Sequence, residues 1–307
     1  MNFTLSQLKV FVKVVEKRSV TKASEELHMT QPAVSIQLKN FQEQFDIPLF
    51  EVVSRKLFIT PFGHEIAESA TAILQQAEVI KHKSLAFRGE LTGQLKISVV
   101  STGKYVIPHF LTGFIKQHQG VELLMDVTNK TRVIESLEKN EIDMALVSIQ
   151  PERLNVESLE LMPNRLFLVG NKDFEGAKKI KLTELNNHTF IYREKGSGTR
   201  QSMETFFRAR EIKTTRKMEL TSNEAVKQAV ISGLGLSIMP IIGLRHELKN
   251  RELSIIPTPD LPIQTMWQLI WLKGKKHSPV VSSYLEFVKN NKKNIIEEKF
   301  NWYQEYI

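Results

Sequence analysis

The apolar pattern of this chain changes period once, near Gly89, and that change limits the folds open to it. Ahead of Gly89 the apolar residues recur at helical spacing, as in Leu5, Leu8, Phe11, Val12 and Val15. Beyond it, short apolar runs alternate with helical stretches, the pattern of an α/β sheet with crossover helices. At 307 residues the chain has material for two buried cores. It has no cysteine, which excludes disulfides, thiolate metal sites and a cysteine nucleophile.

The first segment reads as three short helices. Ser19 caps a helix over 20–27 with Ala23 and Leu27 inward, and Thr30 or Gln31 caps a third with Pro32 in its first turn. The third helix turns Val34, Leu38 and Phe41 to the core, so the last two helices form a helix-turn-helix. Residues 51–59 read as a β-hairpin wing with Ser54, Arg55 and Lys56 at its tip. Thr60-Pro61-Phe62-Gly63 then starts a long helix reaching about residue 88. Its seam, Ile66, Ala70, Ile73, Leu74, Ala77, Ile80 and Leu85, needs a cover, and a second copy of the chain is the economical one.

In the second segment, strands are expected at 95–101, 121–127, 142–148, 165–169, 188–192, 217–220, 236–239 and 264–272, with helices between most of them and a late one at 280–291. Ligands of open α/β sheets sit beyond the carboxyl ends of strands, and four turns there carry small polar residues. These are Ser101-Thr102-Gly103-Lys104, Thr128-Asn129, Arg193 to Arg200, and Thr221-Ser222-Asn223. Free N–H groups at helix starts, close-approach glycines, hydroxyls and the cations Lys104, Arg193 and Arg200 suit an anion. The candidate effector residues are Ser101, Thr102, Gly103, Thr128, Asn129, Ser148, Arg193, Ser197, Gly198, Thr199, Arg200, Ser222 and Asn223.

On the third helix Gln31, Pro32, Ser35, Ile36 and Lys39 remain outside the core. Gln pairs with adenine edges, Ser with base or phosphate, and Lys39 with the backbone. Arg55 and Lys56 on the wing suit phosphate or the minor groove, and Thr21, Thr30 and Gln37 complete the DNA-facing set.

Enzymatic readings find little support. The eight histidines are scattered and neither HExxH nor Gly-x-Ser-x-Gly occurs. Gly196-Ser197-Gly198-Thr199-Arg200 lacks the Lys-Ser/Thr end of a P-loop. No metal and no cofactor are expected. The opposing hypothesis is an enzyme that binds or transforms a metabolite and carries an accessory DNA-binding segment. Charges interrupt the first 20 residues, and the uncharged run 229–244 is short and broken by Gly233, Gly235 and Pro240. No membrane association and a cytoplasmic location are therefore expected.

Ser19-Val20-Thr21-Lys22-Ala23-Ser24 with Leu27, Thr30-Gln31-Pro32-Ala33-Val34-Ser35 with Gln37-Leu38, Leu49-Phe50-Glu51 and Thr60-Pro61-Phe62-Gly63 together resemble the LysR-type transcriptional regulators. Gly93-Gln94-Leu95-Lys96-Ile97 and the stretch Val230 to Pro240 fit the same family. The chain departs from it at Ile36, Val52 and Phe58, where members often carry basic or polar residues.

The resemblance implies an α/β fold with an N-terminal all-α winged helix-turn-helix, a long linker helix and a C-terminal two-subdomain effector module of periplasmic-binding-protein type. The implied boundaries are 1–61 for DNA binding, with the helix-turn-helix at about 20–39, then 62–90 for the linker and 91–307 for the effector module. Within that module, 91–162 with 268–307 forms one subdomain and 163–267 the other. Implied partners are a double-stranded DNA operator, a second copy and a dimer of dimers, a small effector, and RNA polymerase as a candidate. Ser101 to Tyr105 with Pro108, and Arg193-Glu194 with Gly196 to Arg200, look like the branch controlling carbon-fixation operons. Its members respond to phosphorylated metabolites, so a small anion, phosphorylated or dicarboxylic, is the expected effector.

The net charge is +8, yet residues 1–90 hold 11 basic and 10 acidic residues, leaving 31 and 24 beyond. The excess lies outside the helix-turn-helix, so DNA binding rests on motif and geometry, while the bulk charge favours an anionic effector or bent DNA passing close by.

Overall fold

The computed structural model describes residues 2–53, 56–86, 91–174 and 180–306. Ser54, Arg55 and the end of the linker at 87–90 lie outside the described residues, as does the Leu85 side chain. The chain divides into two compact units, Met1–Gly89 and Glu90–Ile307.

In the first unit α1 (Leu5–Lys17), α2 (Val20–Glu26) and α3 (Gln31–Gln42) start where hydroxyl caps place them. Thr4 and Gln7 form a reciprocal capping box, Ser19 accepts from the Lys22 N–H, and Thr30 from that of Ala33. Phe11, Phe41, Val34, Leu38 and Leu49 make the core, with Phe41 edge-on to both Phe3 and Phe45. The wing is β1 (Phe50–Val53) antiparallel to β2 (Lys56–Ile59).

Helix α4 (Pro61–Ala86) begins at the predicted signal: Thr60 Oγ1 accepts from the Gly63 N–H at 2.9 Å and donates to the Pro48 carbonyl at 2.7 Å. Its seam divides. Ala67 and Ala70 are buried and Ile66 and Leu74 half-buried in the first unit's own core, whereas Ile73 and Ile80 stay 43% and 71% exposed. Part of the face assigned to a second copy is thus covered within the chain, against α1.

The second unit runs β3 (Gly93–Val100), a 3-10 turn (Ser101–Tyr105), α5 (Ile107–Gln117), β4 (Val121–Thr128), α6 (Lys130–Glu138), β5 (Met144–Val147) and β6 (Val156–Asn171). It continues with β7 (Thr189–Arg193), α7 (Gly198–Ala209), β8 (Arg216–Leu220), α8 (Asn223–Ile231), β9 (Ser237–Pro240), α9 (Arg245–Lys249), β10 (Leu253–Ile255), β11 (Ile263–Leu272) and α10 (Pro279–Phe300). The main sheet has the order β10-β6-β11-β5-β3-β4, with β9 also on β6.

The expectation of a parallel sheet holds for β4-β3-β5 and for β7-β8. It fails for β6, which is antiparallel to β9, β10 and β11. Strand β6 has sixteen residues, of which sequence reading found only the last few, because Glu157, Glu160 and Pro163 break its apolar run. Two cores result. One lies between β3-β4-β5 and helices α5, α6 and α10; the other, around Phe190, Met203, Phe207 and Ile238, lies under α7. The run 229–244 is buried at its two ends, in the last turn of α8 and from Leu236 through β9 and a 3-10 turn, but comes to the surface at Ser232–Leu234, where Leu234 is exposed; no helix among the described residues is long and apolar enough to cross a membrane.

Candidate functional site

Two sites emerge, one in each unit. On α3, Val34, Leu38 and Phe41 point inward, which leaves Gln31, Pro32, Ser35, Ile36 and Lys39 exposed on one face. Lys39 lies 3.8 Å from Glu43 with both side chains in solvent, a pair weak enough to yield to a phosphate. Thr21 is exposed at the start of α2, and Lys56 is exposed at the start of β2. Thr30 serves the α3 cap, and Gln37 is turned away from the open face, its Oε1 accepting from Ser6 Oγ at 3.0 Å. Arg55 lies outside the described residues. The cations Lys13 and Lys17 are both held by Glu16 and Glu26, so these two lysines add little positive charge to a DNA surface.

An expected result separates base reading from mere helix exposure. Gln31→Ala and Ser35→Ala each weaken binding to the operator by roughly tenfold, the scale of a lost base contact, and leave binding to random DNA nearly unchanged in a filter-binding assay. Equal loss on both DNAs contradicts base reading.

In the second unit three helix starts meet at one cleft. The 3-10 turn contributes Ser101 and Thr102, the start of α6 contributes Asn129 and Lys130, and the start of α7 contributes Ser197, Gly198 and Thr199; Ser148, Val100, Val147 and Ile149 complete one wall and Arg193 the other. Asn129 Oδ1 accepts from the Arg132 N–H at 3.1 Å and Ser197 Oγ from that of Arg200 at 3.5 Å, which fixes where α6 and α7 begin. Unpaired N–H groups and the helix dipoles therefore aim positive potential into the cleft.

Arg193 is 3% exposed. Its guanidinium donates to the Glu194 carboxylate through Nε at 2.8 Å and Nη2 at 3.0 Å, and Nη2 also reaches Ser101 Oγ across the cleft at 3.3 Å. Lys130 Nζ donates to Gln201 Oε1 at 2.9 Å, and burial holds its ammonium pKa below the usual lysine range. The Thr131 N–H donates to the Gly196 carbonyl at 3.3 Å. Gly196 is required there: its φ is +88°, and a Cβ would stand 2.6 Å from Thr131 Oγ1. These bridges close the cleft to about 10 Å³, the scale of one water molecule. A larger anion enters only when the walls part.

Eight of the expected effector residues line this cleft: Ser101, Thr102, Asn129, Ser148, Arg193, Ser197, Gly198 and Thr199. The others do not. Gly103 is packing, since a Cβ there would meet Val99 and Leu146 within 2.8 Å. Thr128 ends β4 short of the lining. Arg200 donates to Glu204 at 2.7 Å, Glu219 at 2.5 Å and the Arg193 carbonyl at 2.9 Å, so it braces Arg193 from behind. Ser222 caps α8, and Asn223 is 2% exposed against Gly243, away from the cleft. Sequence reading missed Lys130, although its place as first residue of a helix after a capping Asn was a usable signal.

Residues 5–64 match the model of the bacterial regulatory helix-turn-helix protein, lysR family, and residues 88–293 match that of the LysR substrate binding domain. The chain belongs to the LysR family of transcriptional regulators. Among relatives of this LysR-type regulator, a RuBisCO operon transcriptional regulator of Allochromatium vinosum is 37% identical over 290 residues, covering 94% of this chain and 96% of its own. The HTH-type transcriptional activator CmpR of Synechocystis is 33% identical over 289 residues, 94% of this chain and 95% of its own. The regulatory domain of Synechocystis CcmR, solved in complex with 2-PG, superposes with a TM-score of 0.63 at 34% identity, over 66% of this chain and 99% of that one. The LysR-type regulator is thus a DNA-binding protein whose relatives are named as transcriptional regulators, and its α/β unit is the family's effector-binding domain. Among the described residues no three His, Asp or Glu side chains gather as metal ligands.

Proposed function

We propose that this LysR-type regulator works in the cytoplasm on a partly palindromic operator of carbon-fixation genes, and that a small phosphorylated anion in the cleft changes its grip on that DNA. The observation that carries this reading is the meeting of Arg193 with the starts of α6, α7 and the 3-10 turn at one cleft. A phosphate takes up the unpaired N–H groups of those turns and the Arg193 fork together, and needs no metal or other cofactor. The 2-PG held by the CcmR domain and the names of the relatives support the ligand class and the target genes.

On this reading the effector module has two subdomains, 91–162 with 268–307 and 163–267, joined by the antiparallel β6–β11 ribbon that contributes to both cores. The β6–β11 register slips between Trp267 and Gln268, and a bulge is where a ribbon bends. Closure of the subdomains on an anion is then a shift between two arrangements that differ in affinity. Linker residues 62–90 join this module to the DNA-binding segment 1–61, and the exposed Ile73 and Ile80 on α4 suit a second copy, with a dimer of dimers spanning paired half-sites and positioning RNA polymerase.

Isothermal titration of the full-length protein with 2-phosphoglycolate, and with malate as the dicarboxylate, tests the reading. Binding of 2-phosphoglycolate at least about tenfold tighter than malate is expected. Absence of heat with 2-phosphoglycolate, or tighter binding of malate, overturns the phosphate assignment.

A further inference from the structure

The Ser101–Tyr105 turn faces two spaces. Its first residues line the closed cleft, while Lys104 and Tyr105 line a separate, half-open cavity of about 600 Å³ between α5, α8, α9 and the end of α10. That volume lies within the range of organic-ligand pockets.

The cavity is cationic, and its cations are differently engaged. Lys227 is 6% exposed and spent on Glu247 at 2.6 Å and Glu224 at 3.0 Å, which also neutralises the half-buried Glu247 carboxylate in the wall. Among the described residues Lys299 pairs with the exposed Glu298 alone, at 3.7 Å. Neither Lys104 nor Arg245 makes a close ion pair with a carboxylate among the described residues, Lys104 acting on Glu224 only at longer range. Each rests on an aromatic face instead, Lys104 at 5.1 Å from the Tyr105 ring centre and Arg245 at 5.3 Å from that of Trp302. His109 senses the same field: burial first, and the Lys299 charge second, hold its pKa below the usual histidine range. Phe300 and Ile242 add apolar wall.

We propose that this cavity is a second effector site, distinct from the cleft, for an anion joined to a planar ring. Lys104 and Arg245, released from their own rings, pair with the anion, and Tyr105 and Trp302 take the ligand's ring. A ring-free anion as small as the cleft's ligand leaves most of this space unfilled and gains little from the aromatic walls. Both sites hold one end of the same five-residue turn, and any coupling it carries between the two ligands is reciprocal. The assignment does not rest on the cleft's ligand.

Titration calorimetry of the full-length protein with AMP, 1-naphthoate, ribose 5-phosphate and inorganic phosphate tests it. At least one ring-bearing anion is expected to bind about tenfold tighter than ribose 5-phosphate and phosphate, and the better of the two shows whether phosphate or carboxylate is preferred. Arg245→Gln, a change at an exposed residue, weakens that binding by about tenfold, as for one lost charge-assisted hydrogen bond, and Trp302→Leu weakens it too; Thr102→Ala, in the cleft, leaves it within about twofold. The proposal is overturned if neither ring-bearing anion binds, if the ring-free anions bind equally well, or if Thr102→Ala abolishes binding while Arg245→Gln does not.

Discussion

Arg193→Ala is expected to weaken 2-phosphoglycolate binding by roughly ten- to a hundredfold, because a hydrogen bond to a charged group contributes about 1.5–3 kcal/mol and each 1.4 kcal/mol is a factor of ten. The wild-type guanidinium is buried, held flat by Glu194 and aimed across the cleft at Ser101, so its orientation is fixed before ligand arrives. Its removal also leaves the Glu194 carboxylate, 16% exposed, without its guanidinium beside an anion site, and that charge repels the ligand. Arg193→Lys restores the charge without the two-pronged geometry and recovers only part of the affinity. Calorimetry on both variants checks this, with the melting temperature followed alongside. An Arg193→Ala protein that is folded and binds as the wild type does contradicts the site.

Gly63→Ala is expected to unfold or strongly loosen the DNA-binding unit while sparing effector binding. A Cβ on Gly63 would stand 2.0 Å from the Leu49 carbonyl oxygen and 2.9 Å from its carbon, both backbone atoms that cannot swing aside. Leu49 is fully buried, and its carbonyl also accepts from the Thr60 N–H at 3.1 Å, so a shift there pulls α4 off its cap and disturbs the wing. The cost is about 3 kcal/mol, at the upper end for overpacking a core. Operator binding is lost and a low-temperature transition appears in calorimetric melting, while 2-phosphoglycolate affinity holds because the second unit has its own cores. Wild-type melting and wild-type operator affinity contradict the steric account.

This glycine also shows what a sequence makes readable. Thr60-Pro61 announced the helix start because a cap and an N-terminal proline act on the residues beside them, and so did Ser19 and Thr30; Asn129 and Ser197 cap α6 and α7 in the same way, a turn or less ahead of the starts expected from the apolar pattern. The reason for Gly63 was not local: it is the carbonyl of a residue fourteen positions earlier. The same limit hid the antiparallel ribbon, since Ile263 pairs with Leu166 and nothing near either residue states the direction of its partner. At the cleft, helix starts gave the right neighbourhood and the wrong fate for two side chains. Arg200 goes to Glu204, one helical turn on, a pairing visible in the spacing, and to Glu219, which is not. Asn223 begins a helix as Asn129 precedes one, but α8 presents it to Gly243.

The proposed anion in the cleft changes how this regulator holds DNA. DNase I footprinting of the full-length protein on the DNA upstream of its own gene, with and without saturating 2-phosphoglycolate, tests it most directly. A protected region with paired half-sites whose length or cleavage pattern changes on adding the ligand, and does not change with Arg193→Ala, is the predicted result. A footprint identical with and without ligand, under conditions where calorimetry shows the cleft to be filled, would contradict it.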